Sequence, residues 1–413
     1  MADDLAVWLY GDQVAIIERV RGRPRLHYTQ QALDRYPLGL PLLSLALPLT
    51  PQPYSQGVVV PFLDGLLPEG DARRAVADDF NVKASDTFGL IRALGRDCAG
   101  ALVVQPSDEP GPPQATTLTA EPLSDNEIVD LVGKLRSAPL GVTERVRISL
   151  AGVQEKLLLT RMPDGTWGSP VDGTPSTHIL KPAIAQYPNT VENEAFGMRV
   201  AKHLGLPVAK VETTSFGGRD LIVVERYDRI VHVDGSVERI HQEDFCQATT
   251  TLPNKKYQED GGPSLKRMAH ILRDNATSDS VEQLLRAVTL NVLIGNGDAH
   301  AKNFSLLHQP TGILQLTPLY DLMSTLHYND DHLAMYIDNV HRTNRVTAVR
   351  IVNEAVSWGL SRQRAAEIVE QIIEGAPAAI AAAEEETDGL PAAIPALVNA
   401  QLAQLVSDLT QAP

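Results

Sequence analysis

The spacing of apolar residues along the chain changes character near residue 240, from short alternating runs to stripes at helical spacing. Ahead of that point, Val7 to Tyr10 and Val14 to Ile17 predict a hairpin with Gly11-Asp12 as its turn pair. Phe62 to Leu67 and Asp86 to Leu94 predict helical pieces, the second opened by Ser85 or Asp86 and stopped by Gly95. Ala101 to Val104 predicts a strand, so residues 1–105 form an expected small α/β subdomain. Between Pro106 and Pro122 the chain places Pro110, Pro112 and Pro113 among Asp, Glu and Thr, a composition that buries little and predicts a linker over 106–124. Ser124 with Glu127 makes a capping box for a helix running to about Leu135.

Arg147 to Leu159 predicts strand, small-residue turn and strand. Backbone N–H groups in such a turn can cover a triphosphate, although an ordinary hairpin is the plainer reading. Thr177 to Lys181 predicts a strand ending in a lysine. A helix over Val191 to Leu206 follows, with Phe196, Val200 and Leu204 on one face and Glu192 and Glu194 in its first turns. A strand lysine with an acid on the next helix is the pair that positions phosphates in kinases. Glu194 is favoured over Glu192, and a helix-dipole role accounts for either. Val211 to Phe216, Gly217-Gly218 and Leu221 to Glu225 predict another hairpin, leading into Glu225-Arg226-Tyr227-Asp228, where an aromatic can flank an adenine or simply pack.

Beyond residue 240, Leu265 to Arg273 and Val281 to Ile294 predict helices, the latter with a stripe of Val281, Leu284, Leu285, Val288, Val292 and Leu293. The tail predicts three more, over 361–375, 378–386 and 394–409. The longest apolar stretch, Leu38 to Leu49, is broken by Pro41 and Pro48 and is short of the ~20 residues a membrane span needs. The acidic start Met1-Ala2-Asp3-Asp4 is unlike a secretory signal. Two cysteines, Cys98 and Cys246, are too few for a disulfide framework and fit a reducing cytoplasm. The net charge of −15 opposes broad attraction to DNA or acidic lipid.

The chemistry concentrates in Asn291 to Thr325. Asp298 follows the apolar helix, Asn303 comes five residues later, and the chain then predicts a strand at Phe304 to Leu307, a turn at Gln309 to Gly312 and a returning strand at Ile313 to Leu316. A hairpin brings its ends together, so Asp298, Asn303 and Asp321 are expected to converge. Oxygen ligands from an Asn and an Asp suit Mg²⁺, and the remaining Asp can take a proton from an attacking hydroxyl. This is the layout of a protein-kinase catalytic centre. Asp and Asn also populate loops for turn chemistry alone, and it is the ordered set with Lys181 upstream that separates the two readings.

Taken end to end, the chain resembles the HipA family of bacterial toxin kinases. The resemblance is carried by Leu66-Leu67-Pro68-Glu69, Gly95 to Gly100, Ser149 to Lys156, His241 to Gln247, Lys256-Tyr257 with Asp260-Gly261-Gly262-Pro263, Gly297 to Phe304, and Pro318 to Asp321. It implies an α+β, bilobal protein-kinase-like fold. The β-rich lobe would span 125–228, the helical lobe 229–413, and the extra subdomain would precede them. It further implies a serine/threonine kinase using ATP and Mg²⁺, with Asp298 as base and Asn303 and Asp321 at the metal. Lys181 would hold the α/β phosphates, and Ala151, Gly152, Val153, Gln154, Glu155 and Lys156 would form the phosphate loop. Glu225, Arg226 and Tyr227 would meet the adenine, and His300, Ala301, Lys302 and Tyr320 would line the nucleotide. Ser149 would be the site of inhibitory autophosphorylation. A HipB-like DNA-binding antitoxin is the implied partner, and an aminoacyl-tRNA synthetase a candidate protein target, with DNA reached only through the antitoxin. A small-molecule phosphotransferase and a silent antitoxin-binding scaffold are the competing functions.

Overall fold

The computed structural model describes residues 4–112, 116–135, 139–140, 149–152, 154–171, 173–309 and 311–410. The chain divides into two compact units, the first formed by residues 1–182, 214–253 and 307–312, the second by 183–213, 254–306 and 313–413.

In the first unit, Arg23–Tyr28, Asp12–Val20, Leu5–Leu9 and Leu102–Pro106 lie in that order in an antiparallel sheet. The first turn falls on Tyr10-Gly11 and not Gly11-Asp12. Leu9 pairs with Asp12, and the two residues between them take φ of 53° and 84°, the left-handed pair a tight hairpin needs. Helices Gln56–Leu66, Gly70–Asp79 and Thr87–Leu94 pack with this sheet around Leu5, Ile17, Phe62, Leu66, Phe88 and Ile91. The piece expected at Phe62 to Leu67 is thus the second half of a longer helix, whose β-branched Val58 to Val60 and internal Pro61 hid its first turns.

A six-stranded sheet follows, ordered Val211–Phe216, Arg219–Glu225, His178–Pro182, Leu157–Arg161, Trp167–Pro170, Ala120–Pro122. Helix Asp125–Lys134 begins at the expected capping box, with the Ser124 N–H donating to Glu127 at 2.7 Å, and buries Ile128 and Val132 with Leu157, Leu180 and Leu221. The Pro-rich stretch is no free tether. Thr116–Thr117 pairs with Ser236–Arg239, and Ala120–Pro122 pairs with Trp167–Pro170. Of the strand expected to begin at Arg147, Ser149 and Leu150 are outside any strand, and Arg147 and Ile148 lie outside the described residues.

The second unit is mainly helical: Thr190–His203, Leu265–Asn275, Ser280–Ile294, Ala348–Ser357, Arg362–Glu385 and Ala393–Thr410. The first two tail helices expected from the sequence are one, running through Pro377. The apolar face Ile368, Ile372, Ala376, Ala379, Ile380 and Ala383 stays buried across the proline, and that packing outweighs the lost backbone bond. Helix Ser280–Ile294 is buried along most of its length, as its stripe predicts. Among the described residues, no helix is long and apolar enough to cross a membrane.

Candidate active site

Helix Ser280–Ile294 ends at Gly295, which takes φ 69° and donates its N–H to the helix's last carbonyls. The loop after it is held at each step. Asn296 donates to the Asn291 side chain at 2.8 Å and accepts from the Asp298 N–H at 3.2 Å. Gly297 donates to Thr325 Oγ1 at 2.9 Å and accepts from Ala334 at 2.7 Å, and a Cβ there would run into the His332 carbonyl. The glycine of Gly-Asp-Ala is therefore a packing requirement.

The loop delivers Asp298 with one side open to solvent. Protein packed behind the carboxylate raises its pKa to about 6. A hydrogen bond from Tyr257 Oη at 2.8 Å and the Lys256 charge oppose the shift, and the charges of Asp321 and Asp330 add to it. The His300 N–H is shared between the Asp298 carbonyl at 2.8 Å and Asn303 Oδ1 at 3.1 Å. Asn303 Nδ2 in turn donates to Asp321 Oδ2 at 2.8 Å. The predicted return of the chain is real: Ser305–His308 and Leu314–Leu316 are the strands, and Thr317 donates to the Ser305 carbonyl at 3.0 Å. Asp321 sits at φ 60°, a conformation uncommon outside glycine. The three oxygen-bearing residues expected to converge do so.

His300 is buried, with its ring edge-on to Tyr257 at 5.3 Å. Burial, followed by the charge of Lys256, lowers its pKa to about 3, so the ring is neutral at physiological pH. Its Nδ1 is buried without a hydrogen-bond partner among the described residues. An orphaned acceptor or donor at such a place is where a bound group or water belongs. Lys302 is buried as well. Two residues expected to line a nucleotide do something else. Tyr320 donates its hydroxyl to the Lys302 carbonyl at 2.7 Å and lies 2.7 Å from Ser305 Oγ, bracing the two ends of the hairpin. Ala301 is 0% exposed with its N–H on the Lys256 carbonyl, so it packs the loop.

The residue that pattern reading passed over is Tyr257. The signal was present in Lys256-Tyr257 and Asp260-Gly261-Gly262-Pro263, whose glycines shape the turn. Gly261 takes φ 91°, Gly262 donates to the Tyr257 carbonyl at 2.9 Å, and a Cβ on Gly262 would fall 2.5 Å from the Lys255 carbonyl.

The first unit carries the other expected groups. Lys181 is 9% exposed on an inner strand, in register with Ile222. Glu225 ends the neighbouring strand opposite His178. Arg226 departs from expectation. Its guanidinium is buried and bonds Asp228, Ser176 and the Cys98 carbonyl, with Asp97 at 3.4 Å, and its N–H goes to the Thr177 carbonyl, leaving neither for an adenine. Burial opposes ionisation of Asp97, but Arg229, Arg226 and Arg239 outweigh it and hold the carboxyl well below its usual range. Tyr227 donates its hydroxyl to Gln242 and keeps a half-buried ring.

The expected phosphate loop is folded against its own unit. Ser149 is 0% exposed, donates Oγ–H to the Leu66 carbonyl at 2.6 Å and its N–H to the Asp97 carbonyl at 3.0 Å. Gly152 accepts from the Glu69 N–H at 3.2 Å, and Lys156 Nζ returns to the Ala151 carbonyl at 2.6 Å. Gln154 and Glu155 are half-buried, and Val153 lies outside the described residues. In this conformation Ser149 is out of reach of any phosphate donor.

The chain matches the HipA N-terminal domain over residues 5–105 and the HipA-like C-terminal domain over residues 148–380. It belongs to the HipA family. It is similar to the putative kinase Y4mE of Sinorhizobium fredii, 44% identical over 297 residues that cover 70% of this chain and 69% of that one. It is also similar to the serine/threonine-protein kinase toxin HipA of Shewanella oneidensis, 33% identical over 373 residues, covering 86% and 83%. Among solved structures, it resembles HipA in the Shewanella oneidensis complex of HipA, HipB and operator DNA, with a TM-score of 0.81 and 28% identity over 98% of this chain and 96% of that one. This HipA-family chain is thus a protein kinase with an α+β, kinase-like fold.

Proposed function

We propose that the protein transfers the γ-phosphoryl group of ATP to a serine or threonine hydroxyl, with Asp298 as the base and Asn303 and Asp321 as the ligands of Mg²⁺. The observation that carries this reading is the Asn303–Asp321 hydrogen bond, made in the loop that holds Asp298. Among the described residues, no group of three or more His, Cys, Asp or Glu could cage a metal. A two-ligand Asn and Asp set fits Mg²⁺, which keeps waters and takes further oxygens from nucleotide phosphates. Bound magnesium nucleotide supplies the phosphoryl group and offsets the charge that builds up on it. The protein's share is to place and deprotonate the acceptor. Asp298, poised near neutrality, takes the hydroxyl proton on its carboxylate. Neutral His300 offers its unpartnered Nδ1 to the bound nucleotide. Lys181 is the candidate for the α/β phosphates, Ala151 to Lys156 for the phosphate loop, and Glu225 and Tyr227 for the adenine.

In the same reading the protein is a cytoplasmic toxin of a type II toxin–antitoxin pair, its partner a small HipB-like DNA-binding antitoxin, its target a translation component such as an aminoacyl-tRNA synthetase. The net charge of −15 supports leaving DNA contact to the antitoxin. Ser149 is the autophosphorylation site. The loop must leave its buried place for Ser149 to be modified, and a phosphate of roughly −1.5 to −2 charge cannot go back into the space the hydroxyl filled, so modification keeps the loop out. Purified protein with radiolabelled ATP tests the kinase reading: label on the chain itself or on lysate proteins, lost in Asp298→Asn, supports it, and nucleotide binding without any transfer sinks it.

A further inference from the structure

We propose that Tyr257 is the positioning residue of the base, its phenol holding one oxygen of the Asp298 carboxylate so that the other is presented to the acceptor hydroxyl. The inference rests on Asp298 being the base. The main chain at Asp298 is fixed by Asn296 and Gly297, but the side chain reaches toward solvent, where an aspartate is free to change rotamer. Among the described residues, the hydrogen bond its carboxylate accepts comes from Tyr257 Oη, 2.8 Å from Oδ1. That donor is itself immobilised. The Tyr257 carbonyl takes N–H groups from Asp260 and Gly262, Gln258 Oε1 accepts the Tyr336 N–H at 2.8 Å, and the Lys256 carbonyl accepts from Ala301 at 3.3 Å. The ring lies edge-on to His300 at 5.3 Å, and Lys256 Nζ stands 5.7 Å from its centroid.

The chemistry follows from counting protons. A phenol donates one hydrogen, so it occupies Oδ1 and leaves Oδ2 to take the proton of a serine or threonine. The donor and the acceptor hydroxyl therefore do not compete, and the carboxylate is turned before substrate arrives. Locking a reacting group this way lowers the barrier and leaves nucleotide affinity alone.

The test measures ADP formation from ATP by the full chain, with dephosphorylated casein as hydroxyl acceptor. Tyr257→Phe keeps the ring and removes the donor. Turnover at saturating ATP should fall roughly tenfold to a hundredfold, the span for a hydrogen bond to a charged group, while the KM for ATP stays put. Tyr257→Phe at wild-type turnover overturns the proposal, and so does a loss that appears wholly as raised KM. If Tyr257→Phe misfolds by circular dichroism, a fluorinated tyrosine at position 257 that ionises near neutrality gives the same readout. Turnover should then drop as the phenol loses its proton, and a rate indifferent to that ionisation overturns the proposal. No ADP from the wild type, or full turnover by Asp298→Asn, would defeat the kinase reading itself. A silent Asp298→Asn beside a fully active Tyr257→Phe defeats only the role given to Tyr257.

Discussion

Asn303 reaches Asp321 across a hairpin, its Nδ2 donating to Oδ2 at 2.8 Å, while its Oδ1 accepts from the His300 N–H. One side chain thus ties the two ends of the hairpin together and keeps an oxygen lone pair for a cation. Asn303→Ala should raise the Mg²⁺ concentration needed for half-maximal phosphoryl transfer by more than about tenfold, since a hydrogen bond to a charged group is worth ~1.5–3 kcal/mol. A magnesium titration of labelled transfer checks this. An unchanged titration would remove Asn303 from the metal.

Asp298 gives a pH prediction. Its folded pKa, raised by burial to about 6, lies above the usual carboxylate range, and in the proposed role of base it acts only when ionised. Activity should therefore fall as pH drops through about 6, or lower when a cation neutralises Asp321. A pH–rate profile of kcat/KM with an acid limb above 7 would contradict it. The same shift makes ionisation oppose folding as pH rises from the unfolded pKa to the folded one. Asp298→Asn should consequently melt no lower than wild type at pH 8, although transfer is abolished.

Ser149 is buried against the Leu66 carbonyl, and Ser149→Ala should cost about 1 kcal/mol through that lost bond. Peptide mapping after incubation with labelled ATP should show no label on the segment containing residue 149 in this variant. Label there at wild-type stoichiometry would refute the assignment.

Asp97 sits among Arg226, Arg229 and Arg239 with all four side chains largely buried. Asp97→Asn leaves buried guanidinium charge uncompensated and should destabilise the first unit by about 3–5 kcal/mol in denaturant unfolding. Because the arginines hold Asp97 well below its ordinary pKa, its stabilisation is complete above the unfolded value of about 4 and is lost as pH falls through the folded one. Thermal melts should show the gap between wild type and variant closing only in strong acid.

What could be foreseen in the chain was local. The Ser124–Glu127 cap, the stripe of helix Ser280–Ile294 and the hairpin carrying Asn303 to Asp321 each depend on residues a few turns apart. Their periodicity is set by backbone geometry alone. The misses are long-range. Tyr257 meets Asp298 across 41 residues, and Arg226 is claimed by Asp97 across 129, so neither bond leaves a periodic trace in sequence. Pro377 reads as a stop because its local penalty is visible and the buried face compensating for it is not.

The hold of Leu66 and Glu69 on Ser149 and Gly152 makes the amino-terminal segment the keeper of the proposed phosphate loop and not an appendage. A chain trimmed to begin after residue 105 would lose the main-chain anchors at Leu66, Glu69 and Asp97 at once. It would then resemble, without any modification, a protein whose loop had already been released.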